Sequence, residues 1–194
     1  MPLTAAAKNV MLDALGAVLT HVGILRADAG KAVTGVASTD TFTSRAHGYS
    51  NGDVVVLSAL TGGSGLVATR PYFVIGAATD TFQLSTTSGG SAVNFTTDLS
   101  AGTVTRLVEL SGGSPAYARQ RVTWNRAADG TMDDASVANP IDVPAAAVTD
   151  YLGGYSAATA GTLYSVAPLS AVETFVAQGT YTVTDHDIDL LAGV

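Results

Sequence analysis

The chain has 194 residues and a formal net charge of −7, from 16 acidic and 9 basic side chains. It contains no cysteine, which excludes disulfides, Cys-ligated zinc, iron–sulfur centres and a cysteine nucleophile. The acidic balance excludes a typical nucleic-acid binder, because phosphate binding requires a basic surface. Only 13% of the residues are charged and the mean hydropathy is +0.32, which is the opposite of the composition of disordered chains.

This composition also predicts an unusual surface. With few charges and many Gly, Ala, Ser and Thr residues, hydroxyls and small side chains must cover the protein. Such a surface suits a subunit of an assembly better than a freely diffusing enzyme. No apolar run approaches the ~20 residues that span a bilayer, and the first residues lack the pattern of a signal peptide. We therefore expect no membrane segment and no signal-directed export.

The first predicted element is a helix over residues 5–15, with Thr4 as its N-cap and Gly16 just past its end. One face carries apolar residues at helical spacing: Leu3, Ala7, Val10, Met11, Ala14 and Leu15. The opposite face is polar and is expected to point outward: Lys8, Asn9 and Asp13. A helix this short must dock on another element. We favour docking on the chain's own sheet, with docking on a neighbouring subunit as the alternative.

After Gly16 the pattern changes to short strands separated by Gly-rich turns. The predicted strands cover residues 18–25, 40–44, 53–58, 72–75, 79–85, 103–110, 119–124, 141–143, 148–152, 162–167 and 180–184. Turn signals such as Asn51-Gly52 and Gly89-Gly90 recur about every 8–12 residues. The sequence therefore predicts a mainly β fold: an antiparallel β-sandwich of jelly-roll or Ig-like type, with one N-terminal α-helix and an inserted small β-domain.

A change in composition predicts the domain organisation. Residues 31–106 are dominated by Thr, Ser, Gly and Val, whereas the flanking segments hold most of the Ala, the only Trp and five of the six prolines. We therefore expect a discontinuous outer domain, residues 1–30 and 107–194, with residues 31–106 inserted into it.

The predicted insert also contains a short internal echo. The segment Thr39-Asp40-Thr41-Phe42 returns forty residues later as Thr79-Asp80-Thr81-Phe82. Each copy begins a predicted strand, which suggests two equivalent strands of one small β-module. Chance repetition in a Thr-rich chain is the alternative.

Several segments of the predicted outer domain are distinctive. They are residues 3–15 (LTAAAKNVMLDAL), 111–119 (SGGSPAYAR), 122–125 (VTWN), 141–145 (IDVPA), 155–162 (YSAATAGT), 173–175 (ETF) and 179–182 (GTYT). These segments resemble phage virion proteins of actinobacterial phages and prophages, usually described as tail fibre or minor tail proteins. The resemblance covers about the first thirty residues and most of residues 110–194.

The resemblance implies a non-enzymatic structural protein on the outer surface of a virion. The chain departs from the simplest family members in two places. The insert replaces a short loop. Residues 151–155 (YLGGY) stand where relatives more often have a strand of the Gly-Leu/Phe-Trp type. The insert itself resembles small β-modules of phage structural proteins, on residues 46–53, 72–75 and 81–85. The same kind of β-fold also serves phages as capsid decoration.

Residues for catalysis are sparse. Glutamate occurs only at positions 109 and 173, and no nucleophile elbow, phosphate loop or dinucleotide fingerprint is present. The three histidines, His21, His47 and His186, fit structural roles. We expect neither an enzyme nor a cofactor.

Two acidic segments are candidates for metal sites. Asp185, Asp187 and Asp189 would point to one side of an extended chain and could bind calcium if another segment supplied oxygen ligands. A solvated acidic strand is the favoured interpretation. Residues 129–134 lack the spacing of a calcium loop and are predicted to be a polar loop.

The expected partners are other virion proteins, either of the tail or the major capsid protein, together with further copies of the chain, a trimer being one option. Apolar, aromatic and Arg anchors carry the energy of such interfaces. The candidates are Leu3, Val10, Met11, Tyr117, Arg119, Arg121 and Trp124. We expect location in the virion after assembly in the host cytoplasm, with no binding to nucleic acid or membrane.

Two alternative functions stay open. One is a capsid decoration protein bound to the major capsid protein. The other is a receptor module that binds host surface glycans through exposed aromatic side chains. The aromatic residues concerned are Tyr117, Trp124, Tyr151, Tyr155 and Tyr164.

Overall fold

A computed structural model describes residues 3–137, 140–184 and 186–190. They form a mainly β protein with antiparallel sheets and one α-helix, the class expected from the sequence. The elements are α1 (Ala5–Val18), β1 (His21–Ala27), β2 (Lys31–Val36), a 3-10 turn (Ala37–Thr39), β3 (Thr41–Thr43), β4 (Val54–Gly62), β5 (Pro71–Ile75), β6 (Thr81–Ser85), β7 (Leu99–Glu109), β8 (Gln120–Trp124), β9 (Thr131–Val137), β10 (Ile141–Val143), β11 (Ala147–Tyr155), β12 (Leu163–Phe175), β13 (Gly179–Tyr181) and β14 (Asp187–Asp189).

The chain divides into two compact units. The central unit is Arg26–Val108, and the discontinuous unit comprises the residues up to Leu25 and from Glu109 onward. The chain passes from one unit to the other twice, within β1 and within β7. The sequence predicts the two boundaries between residues 30 and 31 and between residues 106 and 107.

The central unit is a closed six-stranded antiparallel sheet. Its strands follow the order β7-β2-β3-β6-β5-β4, and β4 pairs with β7 again to complete the cycle. The interior is filled by aliphatic and aromatic side chains: Val33, Phe42, Tyr49, Val55, Leu57, Tyr72, Val74, Phe82, Leu84, Phe95, Leu99 and Val104. These side chains fill the interior of the closed sheet, which is therefore a barrel-like core.

The internal echo forms a symmetric strand pair in this unit. β3 and β6 are antiparallel neighbours with Phe42 opposite Phe82, and the two rings stack at 5.6 Å between centroids. Asp40 accepts a hydrogen bond from the backbone of Phe95, and Asp80 accepts one from the backbone of Ala46. The two copies thus occupy equivalent positions about the Phe42–Phe82 pair.

The discontinuous unit contains a larger sheet and a two-stranded one. The larger sheet has the order β14-β9-β8-β1-β11-β12, and β10 pairs with β13 in the other. Side chains from both sheets share one buried cluster, so the sheets pack face to face: Leu19, Val22, Ile24, Leu110, Val122, Ile141, Val143, Ala147 and Leu152. A smaller cluster joins α1 to β9 through Leu12, Ala127 and Met132.

The helix differs from its predicted bounds at one end. Thr4 is the N-cap, as predicted, and its hydroxyl accepts a hydrogen bond from the backbone of Ala7. Gly16 does not end the helix, which continues to Val18. A Cβ on Gly16 would lie 2.8 Å from Met132 Sδ and 3.3 Å from Trp124, so this glycine permits close packing inside the helix.

Several strand assignments differ from the prediction. β4, β7 and β12 are longer than predicted. Val18–Leu25 was predicted as one alternating strand, but Val18 belongs to α1 and β1 is buried on both faces from Val22 to Leu25. β2 was not predicted. Residues 129–134 are not simply a polar loop, because a turn at Asp129-Gly130 with positive φ angles leads directly into β9.

Candidate functional site

The outward face of α1 is apolar. Val10 is 70% exposed, Met11 50%, Val18 43% and Leu3 39%. Ala6, Ala14 and Ala17 lie on the same side and are also exposed, and Ala7 is half-buried among them. We call these eight residues, seven of α1 and Leu3 just before its N-cap, the outward face of α1. Clusters of exposed aliphatic side chains of this kind mark interaction surfaces in water-soluble folds.

The polar side of the same helix faces the protein. Lys8 Nζ donates to the carbonyl oxygen of Leu190 at 2.6 Å. Asn9 Oδ1 accepts from the backbone N–H of Gly130, and Asp13 Oδ1 accepts from that of Ala127, both at 2.8 Å. Leu12, between them, is buried.

The helix docks on the chain's own sheet, as favoured, but mainly through its other side. Leu12 packs against Met132 of β9, and of the predicted apolar face Leu15 packs against the core. Lys8, Asn9 and Asp13, which were expected to face outward, are turned toward the protein. The physical reason is local. The turn after β8 and the turn before β9 leave backbone N–H groups pointing at the helix, and such buried donors require acceptors. Asn9 and Asp13 supply those acceptors, so their side of the helix turns inward.

This surface extends past the predicted end of the helix. Ala17 and Val18 belong to it but lie beyond Gly16, which the sequence predicts as the position just past the helix. The spacing Leu3, Ala7, Val10, Ala14, Ala17 alternates four and three residues and continues past Gly16, which was the available signal.

Tyr117 and Arg119, predicted as interface anchors, have internal partners instead. Arg119 holds Glu109 through two hydrogen bonds, Nε to Oε1 at 2.7 Å and Nη2 to Oε2 at 2.6 Å. Tyr117 donates its hydroxyl to Glu109 Oε1 and accepts from the backbone N–H of Ile24, each at 3.0 Å. The Arg119 side chain is only 10% exposed, and its guanidinium stacks on the ring of Tyr155.

This cluster explains the distinctive segment 111–119. The backbone N–H of Tyr117 donates to the carbonyl of Gly112, which turns the loop so that Tyr117 and Arg119 point at Glu109. Gly23 on β1 faces the cluster, and any Cβ there would collide with the Tyr117 hydroxyl. Burial and the nearby Glu109 charge raise the pKa values of Tyr117 and Tyr155, so both phenols stay protonated.

Arg121 and Trp124 lie on β8 beside an open groove of about 650 Å³. Trp124 Nε1 donates to the carbonyl of Leu19 at 2.6 Å, and its ring packs against Gly16 and at 5.1 Å from the His186 ring. Further polar side chains of the groove wall are Asp13, Thr20, Thr123, Asn125 and Arg126. Trp124 is therefore anchored as part of the core, with the groove along one side.

The aromatic residues considered for sugar binding do not form one exposed platform. Tyr155 is buried beneath Arg119 and Tyr151 is half-buried in β11, whereas Tyr164 on β12 is exposed. Arg121 stands opposite His21 across the β1–β8 pair. Burial, together with the charges of Arg121 and Arg119, lowers the pKa of His21 and favours its neutral form.

The acidic segment near residue 187 is a short strand. Asp185 lies outside the described residues, while Asp187 and Asp189 belong to β14, where Asp189 accepts a hydrogen bond from Thr131. Within residues 3–137, 140–184 and 186–190, no three His, Asp or Glu side chains are grouped so that they could hold a metal ion. Over the same residues no helix has the length and apolar character needed to cross a membrane.

Comparison with known proteins adds no relative. No protein-family model, curated protein or solved structure matches the chain.

Proposed function

We propose that this chain is a non-enzymatic structural protein of a bacteriophage virion, present in many copies on the outer surface of the particle, of the tail fibre or minor tail type. The observation that carries the assembly role is the outward face of α1. Polar hydrogen bonds hold this helix with its aliphatic side toward solvent, which is the arrangement of a docking element.

The energetics support docking through this face. Covering an aliphatic side chain contributes about 1.5–3 kcal/mol when the chain passes from full exposure to full burial. Val10 and Met11 are at least half exposed, so each would contribute about 1–2 kcal/mol on contact. A weakly charged surface adds little repulsion between subunits packed side by side.

The assignment to a phage particle is supported by the resemblance in residues 3–15 and 111–182. The structure gives these segments coherent roles. The first forms α1, and SGGSPAYAR forms the loop that brings Tyr117 and Arg119 to Glu109. These are architectural roles, as a structural subunit requires.

The test is incorporation into particles. A phage lacking this gene is supplied with tagged wild-type chain, the Val10→Asp variant or the Val67→Asp variant, and purified virions are probed for the tag. Val67 is a matched control, since it is an exposed valine of the central unit. We expect wild type and Val67→Asp to co-purify with virions and Val10→Asp to be strongly depleted. Absence of the wild-type chain from virions would refute the proposal.

Copy number separates the tail type from the capsid decoration alternative. A decoration protein approaches the abundance of the major capsid protein in stained gels of purified virions. A tail protein gives a faint band. A band comparable to the capsid protein would move the assignment to decoration.

The groove beside Trp124 favours the glycan-binding alternative as a second candidate. Its wall combines an aromatic edge with Arg121, Asn125, Arg126 and the Asp13 carboxylate, groups suited to sugar hydroxyls. The check is a glycan array with the wild-type chain and an Arg121→Ala variant, which leaves the anchored indole in place. Binding that Arg121→Ala abolishes would support this function, and a blank array counts against it.

A further inference from the structure

Methionine is the only sulfur-containing residue type of this chain, because cysteine is absent. Of the three methionines, Met1 lies outside the described residues, Met11 of α1 is 50% exposed, and Met132 of β9 is 1% exposed. We propose that Met11 is an oxidation site through which peroxides weaken the outward face of α1 as a docking surface. This inference rests on the proposed function, because it adds a redox control to the surface described there.

The two described methionines lie on opposite sides of the same helix. Met11 belongs to the outward face of α1, next to Val10. Met132 lies beneath the helix, where it packs with Leu12 and Ala127, and a Cβ on Gly16 would be only 2.8 Å from its sulfur. A dissolved oxidant therefore reaches the side chain of Met11 in the folded chain, whereas it reaches Met132 only when α1 moves away.

The reaction needs no group of the protein other than the thioether. Hydrogen peroxide transfers one oxygen atom to the sulfur: the O–O bond breaks, an S–O bond forms, the sulfur loses two electrons and the peroxide leaves as water. The product is a sulfoxide, which is polar, and methionine sulfoxide reductases can reverse the change. Because the chain has no cysteine, the thioethers are its only sulfur groups open to oxidation.

The position of Met11 gives this change an effect on docking. The eight residues of the outward face carry no charged or hydroxyl-bearing side chain. A sulfoxide among them loses its hydration when an apolar surface covers the face, and no side-chain donor of the face replaces the water. The helix itself is held from its other side, by Lys8, Asn9 and Asp13, so oxidation is expected to alter the face without releasing α1.

The first test is the selectivity of oxidation. Folded full-length chain is treated with hydrogen peroxide for increasing times, and peptide mass spectrometry follows the gain of one oxygen atom at each methionine. Cleavage after Lys8 separates Met1 from Met11. We expect Met11 to react about tenfold or more faster than Met132, and the two to react at similar rates in urea. Equal rates in the folded chain would overturn the proposal.

The second test measures the effect of oxidation on the face. Wild type and Met11→Leu are each compared before and after peroxide, by the fluorescence of an environment-sensitive apolar dye. Leucine has a similar volume but no sulfur. We expect peroxide to lower dye binding to wild type but not to Met11→Leu, while the circular dichroism spectra of both chains stay unchanged. Undiminished dye binding to wild type that is fully oxidised at Met11 would refute the redox control.

Incorporation into virions separates this inference from the proposed function. Met11→Gln, which places a polar amide on the face as a stand-in for the sulfoxide, is tested beside Val10→Asp. Depletion of both variants from virions supports the redox control. If Met11→Gln incorporates like wild type while Val10→Asp is depleted, the docking face is right and only its redox control is wrong. If peroxide acts selectively on Met11 and lowers dye binding while the wild-type chain is absent from virions, the oxidation site stands and the proposed function is wrong.

Discussion

At the scale of single residues, Glu109 is the best-connected charge in the discontinuous unit. It accepts two hydrogen bonds from Arg119 and one from Tyr117, and Arg119 also reaches the carbonyl oxygens of Ala157 and Ala160. One carboxylate therefore ties β7, the 111–119 loop and the 156–162 turn together. Its removal leaves a guanidinium that is almost fully enclosed.

We expect Glu109→Gln to lower the free energy of unfolding by about 2–3 kcal/mol, below the full value for a buried pair because Glu109 is 27% exposed. Glu173→Gln is the matched control, since Glu173 is the other glutamate and is exposed on β12. It should change stability by no more than about 0.5 kcal/mol. Urea unfolding of both variants measures the difference, and equal effects would show that the Glu109 network is not stabilising.

The same network predicts that the phenols of Tyr117 and Tyr155 ionise at higher pH than an ordinary tyrosine. The folded-state pKa values of Tyr117 and Tyr155 are raised, so the folded chain holds these two protons more tightly than the unfolded chain. Their contribution to stability is complete below the ordinary tyrosine pKa of about 10 and is lost as the pH rises through the raised values. Tyrosinate absorbance should show part of the seven tyrosines ionising late. Glu109→Gln should shift this phase to lower pH, and a phase unchanged in Tyr117→Phe and Tyr155→Phe would contradict the assignment.

At the scale of elements, α1 shows that hydrogen bonds can set the rotation of a helix against its hydrophobic pattern. The apolar stripe alone would turn inward. Two backbone N–H groups, those of Ala127 and Gly130, are satisfied only when Asp13 and Asn9 face the protein. The aliphatic side of the helix therefore stays exposed to solvent, and its apolar area is not buried within the unit.

We expect the double variant Asn9→Ala, Asp13→Ala to lose about 1–3 kcal/mol of stability, because two part-buried donors lose their acceptors. Its helix should also rotate freely enough to bury part of its aliphatic side, so binding of an environment-sensitive apolar dye should fall relative to wild type. Thermal unfolding and dye fluorescence measure the two effects. Ala5→Ser, at the exposed start of α1, is the control and should change neither.

Sequence patterns predicted elements where a local signal and burial agree. Thr4 capped the helix as expected, and β10 was predicted with its observed bounds. The echo predicted equivalent strands but not that they pair, since register depends on contacts distant in sequence. The acidic segment 129–134 did not predict β9, which includes its last four residues, because only Met132 of that strand is buried. The candidate site was found only in part: Leu3, Val10 and Met11 were named from their spacing, but which way they face depended on backbone donors that no pattern reveals.

At the scale of the whole molecule, the central unit is joined to the rest of the chain by two neighbouring segments. Within that unit the backbone N–H of Asp28 donates to the carbonyl of Arg106, and within the discontinuous unit Leu110 donates to Ile24. Both bonds fit one antiparallel register. The two segments that enter and leave the central unit are therefore paired like the two strands of a β-hairpin.

We expect a chain in which residues 29–105 are replaced by Asn-Gly to fold, because a two-residue turn of this type closes an antiparallel pair between Asp28 and Arg106. The remaining core, from Leu19 to Leu152, is independent of the removed residues. Dispersed amide signals in an NMR spectrum and a cooperative thermal transition would confirm this. A shortened chain that is unfolded would show that the discontinuous unit depends on the central one.

The closed cycle of strands in the central unit affects how the protein behaves at high local concentration. Strand edges are templates on which neighbouring chains add and aggregate, and crowded arrays bring such edges together. In the central unit all six strands have partners on both sides, so a copy pressed against its neighbours presents side chains there instead of unpaired backbone. β12, which among the described strands pairs only with β11, carries Pro168 and Glu173 along its length, two residues that discourage strand addition. The central unit and the β12 edge are therefore protected against strand addition.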